Sequence, residues 1–187
     1  MTNPNHSDKE LIDRILNGEQ ELFAHIVNRY KDRVAAICFK MVKDKNTAEE
    51  VGQETFIRLF KSLDQYNFNS ALSTYITRIA INLSLNKLDS IKRRRKRFFE
   101  QEDHHNAFES QETSISKKME TNELVQIALQ HLTPESRSVV VLRMIEGYSV
   151  KETSSMLGIA EGTVMSKLNR AMKKMKETLN KYTLKDD

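Results

Sequence analysis

The most informative stretch of the chain is residues 149–170, which read Ser-Val-Lys-Glu-Thr-Ser-Ser-Met-Leu-Gly-Ile-Ala-Glu-Gly-Thr-Val-Met-Ser-Lys-Leu-Asn-Arg. Ser149 is followed three residues later by Glu152, a pairing in which each side chain bonds the other's backbone N–H at the start of a helix. Gly158 follows the apolar part of that helix, where a left-handed residue commonly ends it. The pattern predicts a short helix, a tight turn and a second helix beginning near residue 161.

This second helix has an apolar face and a polar face. The small residue Ser154 allows the two helices to cross closely, and the apolar contacts between them are expected from Ile159, Val164 and Leu168. The outward face carries hydroxyl, amide and cationic groups: Thr163, Met165, Ser166, Lys167, Asn169 and Arg170. Such groups can bond base edges and phosphates, so a DNA-binding helix-turn-helix is predicted. The alternative is a three-helix packing unit whose basic face is only solvated.

The rest of the chain is also helical in pattern, and the fold predicted is all-α with two small domains. Residues 7–97 form the N-terminal domain, with helices expected at about 8–17, 19–43, 48–63 and 71–97. Two further capping boxes mark helix starts, Ser7 with Glu10 and Thr47 with Glu50. Residues 121–183 form the C-terminal domain, where Val139 to Ile145 is expected to be a dense apolar helix. The apolar stripes of these helices are interpreted as core.

Residues 98–120 lose helical periodicity and are expected to be a flexible acidic linker. Charge is segregated around its start. Residues 87–97 hold seven basic side chains and one acid, whereas residues 100–112 hold five acids and no Lys or Arg. A basic surface beside an acidic tether indicates a nucleic-acid partner for the basic part. His104 and His105 have no neighbours at metal-ligand spacing, so no metal site is predicted.

The fourth helix and the loop before it suit single-stranded DNA. Aromatic residues stand around a short polar loop, and one face of the helix carries amide and guanidinium groups; these residues are Tyr66, Phe68, Tyr75, Arg78, Asn82, Asn86 and Arg93. Rings can stack on bases at about 1–3 kcal/mol per base, while cations hold the backbone. The aromatics could equally be core residues.

Composition excludes several other classes of protein. The 187 residues carry a net charge of +4, 39% are hydrophobic, and neither a secretory signal nor an apolar run long enough for a bilayer is present. A cytoplasmic protein is expected, and its one cysteine, Cys38, is expected to be buried and unreactive. The sequence has no phosphate-binding glycine loop, metal cluster or nucleophile–base motif. We therefore expect no enzyme, no cofactor and no small-molecule substrate.

Several motifs in order resemble a known family. The segments Gly18-Glu-Gln-Glu-Leu-Phe23, Ala48 to Arg58 and Leu72 to Asn82 resemble region 2 of extracytoplasmic-function sigma factors. The segments Leu132 to Arg137, Gly147 to Ser149, Glu161 to Val164 and Asn169 to Ala171 resemble region 4. The resemblance implies a subunit that binds core RNA polymerase, directs it to promoters and helps to open the −10 region. Transcription chemistry would remain with the polymerase.

The resemblance also implies roles for individual positions. The third helix would contact the clamp helices of the β′ subunit through Glu50, Gln53, Glu54 and Phe56, and region 4 would contact the β flap. The −10 element would be read by Tyr66, Phe68, Tyr75, Arg78, Asn82, Asn86 and Arg93. The −35 element would be read by Gly162, Thr163, Met165, Ser166, Lys167, Asn169 and Arg170. An inhibitory anti-sigma protein, of a kind that is often membrane-anchored, is a further implied partner.

Four positions depart from the family pattern. Tyr75 stands where Trp is usual, Asn86 where Asp is common, Gly52 at an apolar branched position and Met165 at a basic one. The main alternative to a sigma factor is a transcription factor whose N-terminal helices sense a signal or dimerise. The exposure of the Glu50–Phe56 face distinguishes the two, because a sensor would bury it.

Overall fold

The computed structural model describes residues 6–101 and 121–183, and the regular elements in these ranges are helices. The prediction of an all-α chain is confirmed. The N-terminal domain contains α1 (Asp8–Leu16), α2 (Phe23–Val42), α3 (Lys45–Lys61) and α4 (Leu72–Gln101), with 3₁₀ turns at Gln20–Leu22 and Leu63–Gln65. The C-terminal domain contains α5 (Thr121–Gln130), α6 (Pro134–Val140), α7 (Val150–Leu157) and α8 (Glu161–Thr183).

Helix starts follow local hydrogen-bonding chemistry. The capping box of Ser7 with Glu10 is present at α1, as predicted. The box predicted at Thr47 is wrong, because α3 begins one turn earlier. Asp44 caps α3, and its carboxylate accepts a hydrogen bond from the backbone N–H of Thr47 at 2.7 Å. These bonds from Thr47 hold the pKa of Asp44 below its ordinary value.

The N-terminal core lies between α2, α3 and α4, with α1 packed against α2. The side chains at its centre are almost fully enclosed; they include Ile12, Ile26, Ile37, Met41, Leu59, Ile76 and Ile81. Cys38 lies among them with no exposed surface, and burial raises the pKa of its thiol to about 11. The expectation that Cys38 is buried is confirmed.

The helix expected over Val139 to Ile145 changes type partway along. The α-helix ends at Val140, and Val141–Ile145 form a π-helical turn closed by a 2.9 Å bond from the N–H of Glu146 to the carbonyl of Val141. Gly147 then takes a positive φ of 76°. Because the chain leaves the helix through this π turn and Gly147, Glu146 and Tyr148 lie on the face that meets the N-terminal domain.

The two domains contact each other along a seam, defined here as the contacts that α2 and α4 make with α5, α6, the π turn and α7. Tyr148 is nearly buried there. Its hydroxyl accepts a hydrogen bond from Arg33 at 3.2 Å and donates one to Thr77 at 3.3 Å. Glu146 pairs with Arg33 at 2.9 Å and with Lys40 at 3.7 Å. The seam is therefore polar as well as packed.

Arg137 is the most deeply buried cation of the seam. Its guanidinium donates to the carbonyls of Leu129 and Gln130 at the end of α5, to that of Leu132 just beyond it, and to that of Met41 near the end of α2. The last carbonyls of a helix have no partner within it, and the negative end of the helix dipole favours a cation. Arg137 thus caps helices of both domains.

The chain between the domains was predicted to be a flexible linker over residues 98–120. The helix α4 extends through Gln101, beyond the predicted boundary at residue 97, and residues 102–120 lie outside the described residues. The adjacent histidines 104 and 105 fall in that part. None of the described helices has the length and apolar character needed to cross a bilayer.

Candidate nucleic-acid and polymerase interfaces

The helix-turn-helix is formed by α7 and α8 as the sequence predicts. Ser149 caps α7 in a capping box with Glu152, and the bonds from Ser149 lower the pKa of that glutamate. Gly158 ends α7 in the left-handed conformation, at φ 66°. The Ser154 hydroxyl donates to the carbonyl of Ile159 at 2.6 Å and so fixes the turn.

The polar face of α8 is exposed beside this turn. Val164 and Leu168 are buried against the rest of the domain, which turns Gly162, Met165, Ser166, Asn169 and Arg170 to solvent. Thr163 and Lys167, also predicted to point outward, are half-buried at the edges of that face. In a helix-turn-helix, the N-terminal residues of the second helix contact base edges in the major groove. This face has the required position and chemistry.

A second polar face lies along α4. Arg78, Asn82, Asn86 and Arg93 are all exposed, and their spacing places them within about a quarter of the helix circumference at about 100° per residue. Arg93 forms an ion pair with Asp89 one turn earlier, at 3.0 Å. The basic run to Arg97 continues the same helix. The structure therefore brings together the predicted amide and guanidinium groups.

The aromatic residues before α4 form a packed cluster. Tyr66 is only 8% exposed; its ring centroid lies 4.8 Å from that of Phe68 and 5.1 Å from that of Tyr75. The Tyr66 hydroxyl donates to the carbonyl of Ser70, and that of half-buried Tyr75 donates to Ser62 at 3.1 Å. Tyr66 thus supports the loop from within, and its ring is not open to a base in this conformation.

Phe68 is the member of the cluster that presents its ring to solvent. Its side chain is 42% exposed, and its backbone takes a positive φ of 59°. That conformation is rare for a bulky residue and costs on the order of 1–3 kcal/mol, and such strain tends to collect at functional sites. The ammonium of Lys9 lies 6.0 Å from the ring centroid. An exposed ring on a strained backbone, beside a cation, suits stacking on an unpaired base.

The third candidate surface is on α3. Glu50, Gln53 and Glu54 are exposed, while Phe56 is half-buried against the core. The sequence reasoning missed Ile57 and Phe60, two exposed apolar side chains on the same helical face as Gln53. The sequence could have identified them as exposed, because neither residue belongs to the buried stripe that contains Val51, Thr55 and Leu59. The face therefore combines carboxylate, amide and apolar groups, as helix-on-helix interfaces do.

An ion pair joins α3 to α4. The ammonium of Lys87 bonds the carboxylate of Glu50. The Glu50 side chain is 64% exposed and that of Lys87 is 26% exposed. A residue implied in polymerase binding thus contacts the basic segment implied in DNA binding.

Gly52, one of the departures from the family pattern, has no packing reason to be glycine. A Cβ built there would lie 3.8 Å from the Cγ1 of Val34, an ordinary van der Waals contact. Nothing in the structure explains why this position lacks a side chain.

Comparison with known proteins agrees with both halves of the structure. The family described as Sigma-70 region 2 matches residues 26–97, and that described as Sigma-70, region 4 matches residues 122–175. The ECF RNA polymerase sigma factor SigW of Bacillus subtilis is 28% identical over 184 residues, which cover 91% of this chain and 96% of SigW.

Two solved structures share the fold. CnrH in complex with the cytosolic domain of CnrY matches with a TM-score of 0.64 at 22% identity, over 92% of this chain and 97% of CnrH. The sigma factor RpoE of Bartonella quintana, in complex with the anti-sigma factor NepR, matches with a TM-score of 0.63 at 20% identity, over 84% of this chain and 96% of RpoE. With both family regions present in order, this chain belongs to the sigma-70 family, as a sigma factor of the extracytoplasmic-function group.

Proposed function

We propose that this sigma factor binds core RNA polymerase through the exposed face of α3, reads the −35 element with α8 and captures the opened −10 strand on α4. The observation that carries the proposal is the pair of separate, exposed, cation-bearing helical faces on α4 and α8. One chain that presents two such faces can engage two promoter elements. The identity of these elements as −35 and −10 follows from the family assignment.

The polymerase-binding surface that we propose comprises Glu50, Gln53, Glu54 and Phe56, extended by Ile57 and Phe60. Of the four implied residues, Phe56 is partly enclosed and packs against the core, and the other three are exposed. The exposure of this face argues against the alternative in which the N-terminal helices form a sensor. A sensor would bury these residues or use them to line a pocket. We propose that region 4 additionally contacts the β flap.

The residues of the −10 surface that we propose differ in exposure, and we assign their roles accordingly. Phe68 offers its ring, and Arg78, Asn82, Asn86 and Arg93 offer hydrogen bonds and charge along α4. Tyr66 and Tyr75 hold the loop in place from the packed side. Base stacking contributes about 1–3 kcal/mol, which is comparable with the few kcal/mol needed to unstack a base.

No step in this proposal requires catalysis by the chain itself, because the polymerase supplies the chemistry of RNA synthesis. The protein would act in the cytoplasm, together with the polymerase. An anti-sigma protein is proposed as an inhibitory partner, since the fold is shared with the Bartonella RpoE that was solved with NepR.

Run-off transcription tests the function directly. Fragmented genomic DNA of the host is transcribed by core polymerase with and without the protein. Discrete new starts that depend on the protein and share upstream elements support the proposal. If the folded protein binds duplex DNA but no starts appear, the activity is that of a regulator that binds duplex DNA.

A paired substitution tests the polymerase surface. Gln53→Ala with Glu54→Ala should weaken binding to core polymerase, whereas Gln20→Ala with Glu21→Ala removes the same two groups from an exposed turn elsewhere and should not. Binding is measured by fluorescence anisotropy, and helicity by circular dichroism confirms that both variants fold. Equal affinities for the two variants would place the interface elsewhere.

A further inference from the structure

Met165 is an exposed apolar side chain among polar ones near the start of α8. It stands at the start of the second turn of α8 and is 44% exposed, among Ser166, Asn169 and Arg170. A thioether offers only a weak hydrogen-bond acceptor and no donor. Of the other methionines of this domain, Met156 and Met175 are buried, whereas Met144 and Met172 are exposed. Met165 is the one of these that lies in the first two turns of α8.

The polar neighbours of Met165 are partly engaged within the helix. The Ser166 hydroxyl donates to the carbonyl of Thr163 at 3.1 Å, and Nε of Arg170 donates to the carbonyl of Ser166 at 3.2 Å. These bonds hold the two side chains close to the helix surface. Both lie on the same side of Met165, at about 100° per residue around the helix, and Met165 is an apolar feature of the face beside them.

Gly162 lies one turn before Met165 on the same face. A Cβ built at Gly162 would meet nothing within 4 Å, and its φ is not in the left-handed region, so neither packing nor backbone geometry requires glycine. Helical side chains lean towards the helix N-terminus, so we expect the Met165 side chain to lie over the turn that contains Gly162. The two residues together form a shallow apolar step at the start of α8.

We propose that this step contacts the C5-methyl group of a thymine in the −35 element. Thymine carries the one apolar group that base pairs present in the major groove, and apolar side chains read it by contact. The inference rests on the proposed placement of α8 in the groove of the −35 element. It makes Met165 a specificity-determining residue that selects thymine by shape and not by hydrogen bonding.

The test removes the methyl group alone. In the strongest promoter found by run-off transcription, each thymine of the −35 element is replaced in turn by deoxyuridine, on either strand. One replacement should weaken binding of the polymerase holoenzyme about fourfold, the effect expected from one buried methyl-sized group. In Met165→Ala the same replacement should have no effect, because the contact is already lost.

Met172→Ala is the matched control, since Met172 is also an exposed methionine of α8, at 41%, two turns further from the N-terminus. It should keep the full sensitivity to uracil. Uracil sensitivity that persists in Met165→Ala, or is absent from every position of the parent complex, overturns the inference. Asn169→Ala separates this failure from failure of the proposed function: if that variant leaves base preference in the −35 element unchanged, the placement of α8 itself is wrong.

Discussion

The seam between the domains should weaken measurably when one hydroxyl is removed. In Tyr148→Phe the ring is retained, but the bond accepted from Arg33 at 3.2 Å and the bond donated to Thr77 at 3.3 Å are both lost. A hydrogen bond contributes about 0.5–1.5 kcal/mol net. Arg33 is partly exposed and keeps its ion pair with Glu146, so the loss of its hydrogen bond should cost free energy near the low end of that range. We expect a loss of about 1–2 kcal/mol, or about 5- to 30-fold in the docking equilibrium.

The assay is energy transfer between dyes on two introduced cysteines, Ala24→Cys in α2 and Ser155→Cys in α7, both at exposed positions. Native Cys38 has no exposed surface and its thiol pKa is raised to about 11, so it should stay unlabelled. Transfer is followed through a urea series, in which Tyr148→Phe should lose docking at lower urea than the parent.

The matched control is Tyr30→Phe, which removes a hydroxyl bonded to Asp8 inside the N-terminal domain. That variant should lower domain stability without changing the docking midpoint. If Tyr148→Phe and the parent lose transfer at the same urea concentration, the contacts of the Tyr148 hydroxyl do not hold the domains together and the reasoning fails.

The docking equilibrium bears on promoter binding. Elements named for positions −35 and −10 are centred about 25 base pairs apart, which is about 85 Å along straight B-form DNA at about 3.4 Å per base pair. A compact body of the size of this chain is about 40 Å across, from the usual scaling of the radius of gyration. We therefore expect the seam to part when both elements are bound, and Tyr148→Phe to favour that state.

Three other changes have defined outcomes. Gly52→Ala should raise the free energy of unfolding by about 1 kcal/mol in urea titrations, since the helix tolerates a Cβ there, whereas Gly158→Ala should lower it because of its positive φ; a loss of stability in Gly52→Ala would mean that the position is tighter than the geometry indicates. The pKa of Glu152 is lowered in the folded state, so its contribution is present above the ordinary value of 4.5 and is lost as pH falls below it; thermal midpoints measured from pH 6 to pH 3 should fall less steeply in Ser149→Ala, and identical slopes would contradict this. Arg93→Gln should reduce the slope of log affinity for promoter DNA against log salt by about 1, because the phosphate contact proposed for Arg93 is removed; an unchanged slope would remove Arg93 from the proposed DNA surface.

Features governed by neighbouring residues could be predicted from the sequence. The capping boxes at Ser7 and Ser149 and the left-handed Gly158 follow from bonds within one turn, and all three are present. Thr47 failed because a stronger local cap, Asp44, lies three residues earlier and takes its backbone N–H. At these helix starts, the local sequence pattern predicts the capping residue unless a second capping residue lies nearby.

Features that depend on packing between distant segments could not be predicted. Periodicity cannot tell which aromatic of a cluster is enclosed, and Tyr66 is buried because Phe68 and Tyr75 pack against it. Arg137 is buried partly against α2, where the Met41 carbonyl, about a hundred residues earlier in the chain, accepts its hydrogen bond. The π turn after Val140 also contacts α2. The exposed faces of α4 and α8 could be predicted from the sequence, since each lies opposite the apolar stripe that is buried.

If α3 binds polymerase and α4 binds DNA as proposed, the ion pair between Glu50 and Lys87 would couple the two binding events. A partner that takes the Glu50 carboxylate leaves the Lys87 ammonium for a phosphate, and a phosphate that takes Lys87 leaves Glu50 for the partner. Linkage is reciprocal, so each ligand would raise the affinity of the other by the same factor. Exposed ion pairs are worth about 0–1 kcal/mol, which sets that factor at about fivefold or less. A single surface contact would thus make polymerase and promoter cooperative ligands of this chain.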